Sequence, residues 1–267
     1  MKVWFLLVIT ILSVSIETWA QNSPKATYLG HRIDLISEAY LGLPYLIDPL
    51  GENKGYDKDP LYRFDGFDCT TYVETVIAEA LATSEENFKE NMNEIRYRNA
   101  KVDFVTRNHF TNIDWIQNNR RNGILFDATK ILFKNHYKVS ETIINKSAWF
   151  KMVHKMDYKS RLKISKLAYL PLAEVTPELL SKIKSGSIIN IVRPNWLPKD
   201  KDGINKTGTE LDISHQGFAI WKNDGILYYR NASSSAKKVT EEPLLGYLER
   251  MKSIKSIGGI NVLEVRR

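Results

Sequence analysis

Cysteine is almost absent from this chain, in which Cys69 is the only one among 267 residues. A single thiol cannot close a disulfide within the chain, so the fold does not rely on the cross-links of small exported domains. Cys69 is therefore a small buried residue, a link to another molecule or a reactive group. The residues around it are needed to choose between these roles.

Long apolar segments are also scarce, and the clearest one lies at the N-terminus. Residues 3–16 are nearly all apolar, and Ala20 ends a segment with small residues at the positions that a signal peptidase reads. The run is shorter than the about 20 residues that a membrane-spanning helix needs. We therefore predict a signal peptide over residues 1–20, with an uncleaved anchor as the alternative. The mature protein is predicted to be exported, periplasmic or extracellular, without a stable membrane anchor.

Dense runs of basic residues are missing as well. The 38 Lys and Arg residues exceed the 31 Asp and Glu residues and give a net charge of +7, yet the two signs are interleaved along the chain. Proteins that bind nucleic acid concentrate their basic residues on one face or segment, so we expect no nucleic-acid partner. The surplus favours at most a general attraction to anionic polymers.

No internal repeat, low-complexity segment or convincing linker divides residues 21–267, so we predict one domain and expect a monomer. Apolar spacing predicts helices over residues 31–41, 70–83, 86–98, 177–183 and 242–251, and strands over residues 187–192, 216–222, 225–230 and 259–265. Because helices come first and an antiparallel sheet follows, the pattern predicts an α+β fold. A helical or irregular insertion is expected between the segments of Cys69 and His215.

Cys69 lies where a polar loop over residues 48–66 gives way to the apolar helix. A thiol in the first turn of a helix is close to unpaired main-chain N–H groups and to the positive end of the helix dipole, which stabilise a thiolate. The thiolate is the attacking form of cysteine, so a cysteine nucleophile needs such a position. The main-chain N–H of Cys69 is also placed to stabilise an oxyanion.

A cysteine nucleophile needs a base, and the chain has five histidines. Helical or polar contexts indicate surface roles for three of them: His31, His136 and His154. His215 differs because it begins an apolar strand, from which its ring can reach a helix N-terminus. Asn231 ends the next strand of the same hairpin, so it can share a sheet face with His215 and orient the imidazole. We therefore predict that Cys69, His215 and Asn231 are catalytic, with a structural histidine as the alternative for His215.

The same segments, in this order, resemble NlpC-type, papain-like cell-wall cysteine hydrolases. The matching segments are Leu41-Gly42-Leu43-Pro44-Tyr45, Phe67-Asp68-Cys69-Thr70-Thr71, Ser185-Gly186-Ser187, Ser214-His215-Gln216-Gly217 and Arg230-Asn231-Ala232-Ser233. The more specific resemblance is to the N-acetylmuramoyl-L-alanine amidase-like branch, through Asp48-Pro49-Leu50-Gly51-Glu52, Asp59-Pro60-Leu61-Tyr62-Arg63, the segment 68–75, Arg107-Asn108-His109-Phe110 and Asp114-Trp115-Ile116. Two departures stand out, since relatives often have histidine in place of Asn231 and Gly-Asp at the turn 185–187.

The resemblance implies a papain-like fold, in which the nucleophile helix packs on an antiparallel sheet that carries the histidine. It implies that Cys69 attacks a carbonyl carbon, that His215 takes and returns the proton, and that water hydrolyses the resulting thioester. No cofactor is implied. No metal is implied either, because the sequence has no His, Cys and Asp cluster with ligand spacing.

Four more residues take substrate-side roles by this resemblance, each with a structural alternative. Tyr45 would donate to the oxyanion or position substrate, or simply pack beside Pro44. Asp68 would bind substrate, or more simply cap the helix. Arg107 would pair with a muropeptide carboxylate, or be a solvated surface arginine. His109 would contact substrate, or be a structural histidine.

The activity implied is cleavage of the bond between N-acetylmuramic acid and L-alanine in peptidoglycan or muropeptide fragments. A γ-D-glutamyl–diaminopimelate endopeptidase is the alternative, because the same catalytic residues serve both reactions. A lipid acyltransferase is disfavoured, since in such relatives the histidine usually precedes the cysteine. A non-catalytic wall-binding module is a further alternative, and it would tolerate Cys69→Ala.

Overall fold

The computed structural model describes residues 27–267, so the predicted signal peptide over residues 1–20 lies outside the described residues. The helices are α1 (Tyr28–Ala39), α2 (Cys69–Leu81), α3 (Glu85–Arg96), α4 (Gln117–Arg121), α5 (Thr129–Phe133), α6 (Lys146–His154), α7 (Pro177–Leu180) and α8 (Leu244–Met251). The strands are β1 (Leu125–Asp127), β2 (Lys138–Ile144), β3 (Lys163–Pro171), β4 (Ser187–Trp196), β5 (Leu211–Trp221), β6 (Leu227–Ser233), β7 (Lys238–Pro243) and β8 (Gly259–Val265). Within the described residues, no helix is long and apolar enough to cross a membrane.

The strands form one antiparallel sheet in the order β2-β3-β8-β4-β5-β6-β7, and β1 pairs with the end of β8 that β3 leaves free. Helix α2, which begins at Cys69, packs against β5 and β6 in the middle of this sheet. The predicted α+β class is therefore confirmed, and the three longest helices of residues 27–267, α1 to α3, precede the first strand in the chain.

The sheet separates two apolar cores. Because side chains along a strand alternate between its faces, successive residues of β4 enter different cores. Ile188 and Val192 face the core that contains α1, α2 and α3, whereas Ile189 and Ile191 face the core that contains α7 and α8. Water exclusion from both faces stabilises the sheet and fixes the face on which each side chain of β5 and β6 lies.

The helices predicted from apolar spacing are present with small shifts of their ends. The helix predicted over residues 70–83 is observed at Cys69–Leu81 and buries Val73, Val76 and Ile77 completely. The strand predicted over residues 216–222 is longer and begins at Leu211, because the residues before His215 pair with β4. The final strand is confirmed at Gly259–Val265.

A hairpin of β2 and β3 was not predicted. Its buried face carries hydroxyl side chains, among them Thr142 and Ser165, while Ile143 and Ile164 pair on the outer face and are 55% and 63% exposed. The usual alternation of apolar inside and polar outside is therefore reversed here. A pattern that reads burial from hydrophobicity cannot find such strands.

Candidate active site

Cys69 is the first residue of α2, and Asp68 caps this helix. The Thr71 main-chain N–H donates to the Asp68 carboxylate at 2.7 Å, and the Thr71 hydroxyl accepts a hydrogen bond from the Asp68 main-chain N–H at 3.0 Å. This reciprocal capping box closes the first turn and holds the cysteine at its start. The structural alternative for Asp68, helix capping, is thus the role that the geometry shows.

His215 and Asn231 meet where two strands separate. The β5–β6 ladder ends at Phe218 and Arg230, whereas the pairing of β5 with β4 and of β6 with β7 continues past this point. The His215 Nε2–H donates to Asn231 Oδ1 at 2.8 Å across this gap. Since the amide oxygen only accepts, Nε2 carries the proton and Nδ1 of the neutral ring is left as an acceptor.

Gly217 makes this close approach possible. A Cβ at position 217 would lie 2.6 Å from the Arg230 carbonyl oxygen, 2.7 Å from Asn231 Cβ and 2.7 Å from the Tyr229 ring. No real Cβ tolerates such contacts, so any side chain here would push β6 away from β5. The glycine therefore sets the distance between His215 and Asn231.

The Cys69 sulfur is held next to the histidine segment. The main chain of Gln216, the residue after His215, hydrogen-bonds to the Cys69 thiol, which also receives support from the Thr70 hydroxyl and its own main-chain N–H. Burial, followed by the nearby Asp68 carboxylate, outweighs these donors and raises the pKa of the Cys69 thiol to about 12. The helix-start position is confirmed, but the expected net stabilisation of the thiolate is not found.

The imidazole is shifted in the opposite direction. Burial lowers the pKa of His215, and the hydrogen bond that His215 donates to Asn231, together with the Asp68 carboxylate, opposes this shift only in part. A group whose charged form is disfavoured by burial stays neutral. The resting site is therefore a neutral thiol beside a neutral imidazole whose Nδ1 can accept a proton.

Tyr45 lies near the thiol. Its main chain pairs with Phe67 in a short parallel bridge, which brings it next to the start of α2. Burial, followed by the nearby Cys69 and Asp68 groups, raises the pKa of Tyr45 to about 12. The phenol therefore stays protonated and can serve as a hydrogen-bond donor at the site.

Arg107 is not available in the way that the sequence suggested. Its guanidinium binds both carboxylate oxygens of Glu52 at 2.8 Å and one of Asp57 at 2.7 Å, and Asp48 lies 3.8 Å away. The Arg107 side chain is only 9% exposed. These protein carboxylates already satisfy its charge, so both the substrate role and the solvated surface role are replaced by a buried ion cluster that anchors the loop 48–66.

His109 also has a structural position. Its Nε2–H donates to the Phe104 carbonyl oxygen at 2.6 Å, and its ring packs against Trp149 and Phe150. Burial lowers the pKa of His109 well below its usual value. His154, predicted to be a surface histidine, belongs to the same aromatic cluster, because its ring contacts Trp149 at 4.5 Å between centroids.

Two tyrosines near the thiol were not identified from the sequence. Tyr229 is fully buried between the rings of His215, at 6.1 Å, and Tyr247, at 4.8 Å, and its hydroxyl has no partner among the described residues. Burial raises the pKa of both tyrosines, and the nearby Cys69 thiol contributes to this rise. Tyr229 shares the face of Asn231 by strand alternation, a signal that was present in the sequence. Tyr247 comes from α8, and no local pattern places it here.

Metal ligands are not grouped in the described part of the chain. Among residues 27–267, no three His, Cys, Asp or Glu side chains are arranged to hold a metal ion. The groups assembled around Cys69 are instead a thiol, an imidazole, an amide and phenols. This set can carry out acyl transfer by a nucleophile and a general base.

Known structures with the same fold have related sequences. A protein from Legionella pneumophila is 33% identical, with 97% of this chain and 94% of that chain covered and a TM-score of 0.81. An N-acetylmuramoyl-L-alanine amidase from Bacteroides uniformis is 30% identical, with 90% and 100% covered and a TM-score of 0.72. A Bacteroides fragilis structure provisionally named a xylanase is 28% identical, with 86% and 100% covered and a TM-score of 0.65.

The family comparison agrees with these structural matches. Among curated proteins, none matches the sequence significantly. Residues 35–257, which include Cys69, His215 and Asn231, match the family described as AmiA-like, N-acetylmuramoyl-L-alanine amidase-like. Because this match covers most of the sequence, the chain belongs to the N-acetylmuramoyl-L-alanine amidase-like family.

Proposed function

We propose that this protein is a peptidoglycan amidase that cleaves the bond between N-acetylmuramic acid and L-alanine with Cys69 as its nucleophile. The observation that carries the proposal is the hydrogen bond between His215 and Asn231 at 2.8 Å, beside the thiol at the start of α2. Membership in a family named for this amidase supports the choice of bond. The combination of thiol, imidazole and amide also resembles that of papain-like hydrolases. We therefore include their mechanism, in which a thioester forms on the cysteine, in the proposal.

The first step is attack of the Cys69 sulfur on the carbonyl carbon of the lactyl group of muramic acid. Because the resting thiol is protonated, His215 acts as a general base through Nδ1 while Nε2–H stays bonded to Asn231. The negative charge moves to the carbonyl oxygen. The Cys69 main-chain N–H and the Tyr45 phenol are the donors placed to stabilise it.

The second step is release of the peptide. The imidazolium of His215 gives its proton to the nitrogen of L-alanine, the C–N bond breaks, and a thioester joins Cys69 to the muramoyl group. Water, deprotonated by the now neutral His215, then hydrolyses the thioester and restores the thiol. Asn231 orients the ring throughout, but it carries no charge to stabilise the imidazolium.

Other activities fit less well. A γ-D-glutamyl–diaminopimelate endopeptidase would use the same catalytic groups, so the products must distinguish it. A glycosidase, suggested by the provisional name of one structural neighbour, usually places two carboxyl groups on either side of the bond. The carboxylates of Glu52 and Asp57 are instead bound to Arg107. The order of Cys69 before His215 continues to disfavour a lipid acyltransferase.

The test is digestion of defined muropeptides, with and without an anhydro sugar end, followed by mass spectrometry. We expect free sugar and intact stem peptide from the natural sequence, and no product from Cys69→Ala or His215→Ala. His136→Ala is the matched control, because His136 is exposed and pairs with Glu174 on the surface. A dipeptide left on the sugar would replace the amidase by the endopeptidase, and full activity of Cys69→Ala would reject the mechanism.

Export belongs to the same proposal, because peptidoglycan lies outside the cytoplasmic membrane. The apolar run over residues 3–16 and the small residues before residue 21 support cleavage near Ala20. The N-terminal sequence of protein recovered from the periplasm or medium checks this. A mature chain that begins at residue 21 is expected, and a retained Met1 would contradict it.

A further inference from the structure

Arg193 is a half-buried cation that has no hydrogen-bond or ion-pair partner in the described part of the chain. It lies on β4, its Nε is buried, and no hydrogen bond or ion pair joins its guanidinium to another of the residues 27–267. By contrast, the buried Arg230 pairs with Asp34 and Glu241, and Arg107 pairs with two carboxylates. Burial of a charged group without a counterion is costly, so a carboxylate ligand would offset the hydration that this half-buried guanidinium loses at Nε.

Trp196 holds this guanidinium in position. The Arg193 Cζ lies over the Trp196 ring at 4.3 Å from its centroid, which is the geometry of a cation–π contact. This stacking restricts the long arginine side chain and leaves the edge of the planar group free for hydrogen bonds. An arginine held in this way is suited to a planar anion.

The position of Arg193 on the sheet brings it to the catalytic face. Ile191 pairs with His215 across β4 and β5, and both Ile191 and Ile189 face the core beneath α8. Arg193 follows Ile191 by two residues, so its side chain emerges on the same face about 7 Å farther along the strand.

Tyr247 of α8 connects this arginine with the nucleophile. Burial lowers the pKa of Arg193, and the Tyr247 phenol opposes this shift. In turn, burial raises the pKa of Tyr247, the nearby Cys69 thiol adds to this rise, and the Arg193 charge opposes it. Among the described residues, no carboxylate contributes to the pKa shift of Arg193. A substrate held at Cys69 that extends along this face past Tyr247 therefore reaches a cation that has no ion-pair partner among residues 27–267.

We propose that Arg193, stacked on Trp196, forms a subsite that binds a carboxylate of the peptide part of the substrate. The inference rests on the proposed amidase function, because that reaction places a stem peptide beside Cys69. In that peptide the α-carboxylate of the second residue, D-glutamate, lies about two extended residues, roughly 7 Å, from the bond that is cleaved. A guanidinium edge binds such a carboxylate through two parallel hydrogen bonds.

Two ligands that differ in one group provide the test. N-acetylmuramoyl-L-alanyl-D-glutamate has the α-carboxylate, whereas N-acetylmuramoyl-L-alanyl-D-isoglutamine has a neutral carboxamide in its place. Their dissociation constants are measured by calorimetry with the Cys69→Ala variant, which does not turn them over. We expect the carboxylate ligand to bind at least about 10-fold more tightly, since a charge-assisted hydrogen bond is worth at least that factor.

Arg193→Gln, made in the Cys69→Ala variant, should abolish this preference. Arg250→Gln is the matched control, because Arg250 likewise lies over an aromatic ring, that of Tyr247, but pairs with Glu242 on the surface. It should keep the preference. If Arg193→Gln does not fold, Arg193→Lys, which keeps the charge but lacks the planar fork, should show a reduced preference. Equal affinity of the two ligands, a preference that survives Arg193→Gln, or no binding of either ligand would overturn the subsite.

Cleavage of the two compounds by the natural sequence separates this inference from the proposed function. Cleavage of both without a carboxylate preference would reject the subsite and keep the amidase. A carboxylate preference in binding, without cleavage of either compound, would reject the amidase and keep the subsite. Cleavage with a preference that depends on Arg193 would support both.

Discussion

Asn231 accepts a hydrogen bond from His215 Nε2–H at 2.8 Å, across the point at which β5 and β6 cease to pair. The contact joins two strands that hydrogen-bond to different neighbours beyond this point. It fixes the tautomer of the ring and leaves Nδ1 as the proton acceptor. In the proposed mechanism, the direction of proton transfer therefore follows from this one neutral amide.

The first prediction concerns the pH dependence of activity in Asn231→Asp. The general base must be neutral, so kcat/KM rises as pH increases through the pKa of the imidazole. Burial lowers the pKa of His215 in the natural sequence, which keeps this rise on the acid side of the usual histidine value. A carboxylate at position 231 would favour imidazolium and move the rise to higher pH by about one unit or more.

The pH profile of kcat/KM for both proteins is the measurement. Asn135→Asp, which adds the same charge at an exposed position, is the control and should leave the profile unchanged. A profile of Asn231→Asp that coincides with that of the natural sequence would show that the two side chains are not coupled.

The second prediction concerns the reactivity of Cys69 in the absence of substrate. With the pKa of the thiol raised to about 12, very little thiolate exists at neutral pH. Alkylation by iodoacetamide should therefore be slow at pH 7 and should continue to accelerate up to pH 10. Since Cys69 is the only cysteine, mass spectrometry of the intact protein reports this one site. Fast alkylation that is constant between pH 5 and 8 would indicate a preformed thiolate–imidazolium pair instead.

The third prediction concerns Gly217→Ala. The added methyl group would meet the Arg230 carbonyl oxygen and Asn231 Cβ at 2.7 Å or less, so β6 must move and the bond between His215 and Asn231 must lengthen. We expect kcat to fall by a factor of about 100, as a displacement of about 1 Å at a catalytic centre does.

Gly246→Ala is the matched control for this substitution. Position 246 lies within α8, and its nearest neighbour to an added Cβ is at 3.9 Å. The change should keep activity and stabilise the helix by about 1 kcal/mol, because alanine is the better helix former. Full activity of Gly217→Ala, measured in the same assay, would mean that the sheet absorbs the methyl group without displacing Asn231.

The fourth prediction concerns the ion cluster around Arg107. Arg107→Ala would leave the buried Glu52 and the nearby Asp57 without their cation, and breaking such a pair costs about 3–5 kcal/mol of the free energy of unfolding. Arg63→Ala removes a surface pair with Asp65 and should cost less than about 1 kcal/mol. Urea unfolding of the two variants checks the difference. Equal losses would show that the cluster does not stabilise the loop 48–66.

Local patterns in the sequence were sufficient for much of the fold and for the centre of the site. The apolar spacing after Cys69 predicts α2 almost to its ends, and the polar loop before it indicates where the helix starts. The turn Asn223-Asp224-Gly225 joins β5 and β6, so His215 and Asn231 could be assigned to the same face of the sheet. Each of these signals lies within about twenty residues of chain, where backbone geometry alone determines which side chains are neighbours.

The hairpin of β2 and β3 was missed for a chemical reason. Its buried face is held by hydrogen bonds between polar side chains and not by apolar contacts alone. Ser165 donates to the buried Asp212, and Asn112 donates to Ser165 at 2.7 Å. The partners come from segments about fifty residues apart in the chain. Only the folded chain shows that these polar residues are satisfied inside the protein.

The lone cysteine, the start of its helix and the hairpin that pairs His215 with Asn231 are properties of short segments, and the sequence was enough to predict them. The charge states were not, because burial and distant charges add up only after the chain has folded. Arg107 meets Glu52 and Asp57 across about fifty residues, which turns an expected substrate ligand into an internal ion pair. Arg193 meets no carboxylate among residues 27–267. Long-range packing thus determines which cations are neutralised and which remain to bind a ligand.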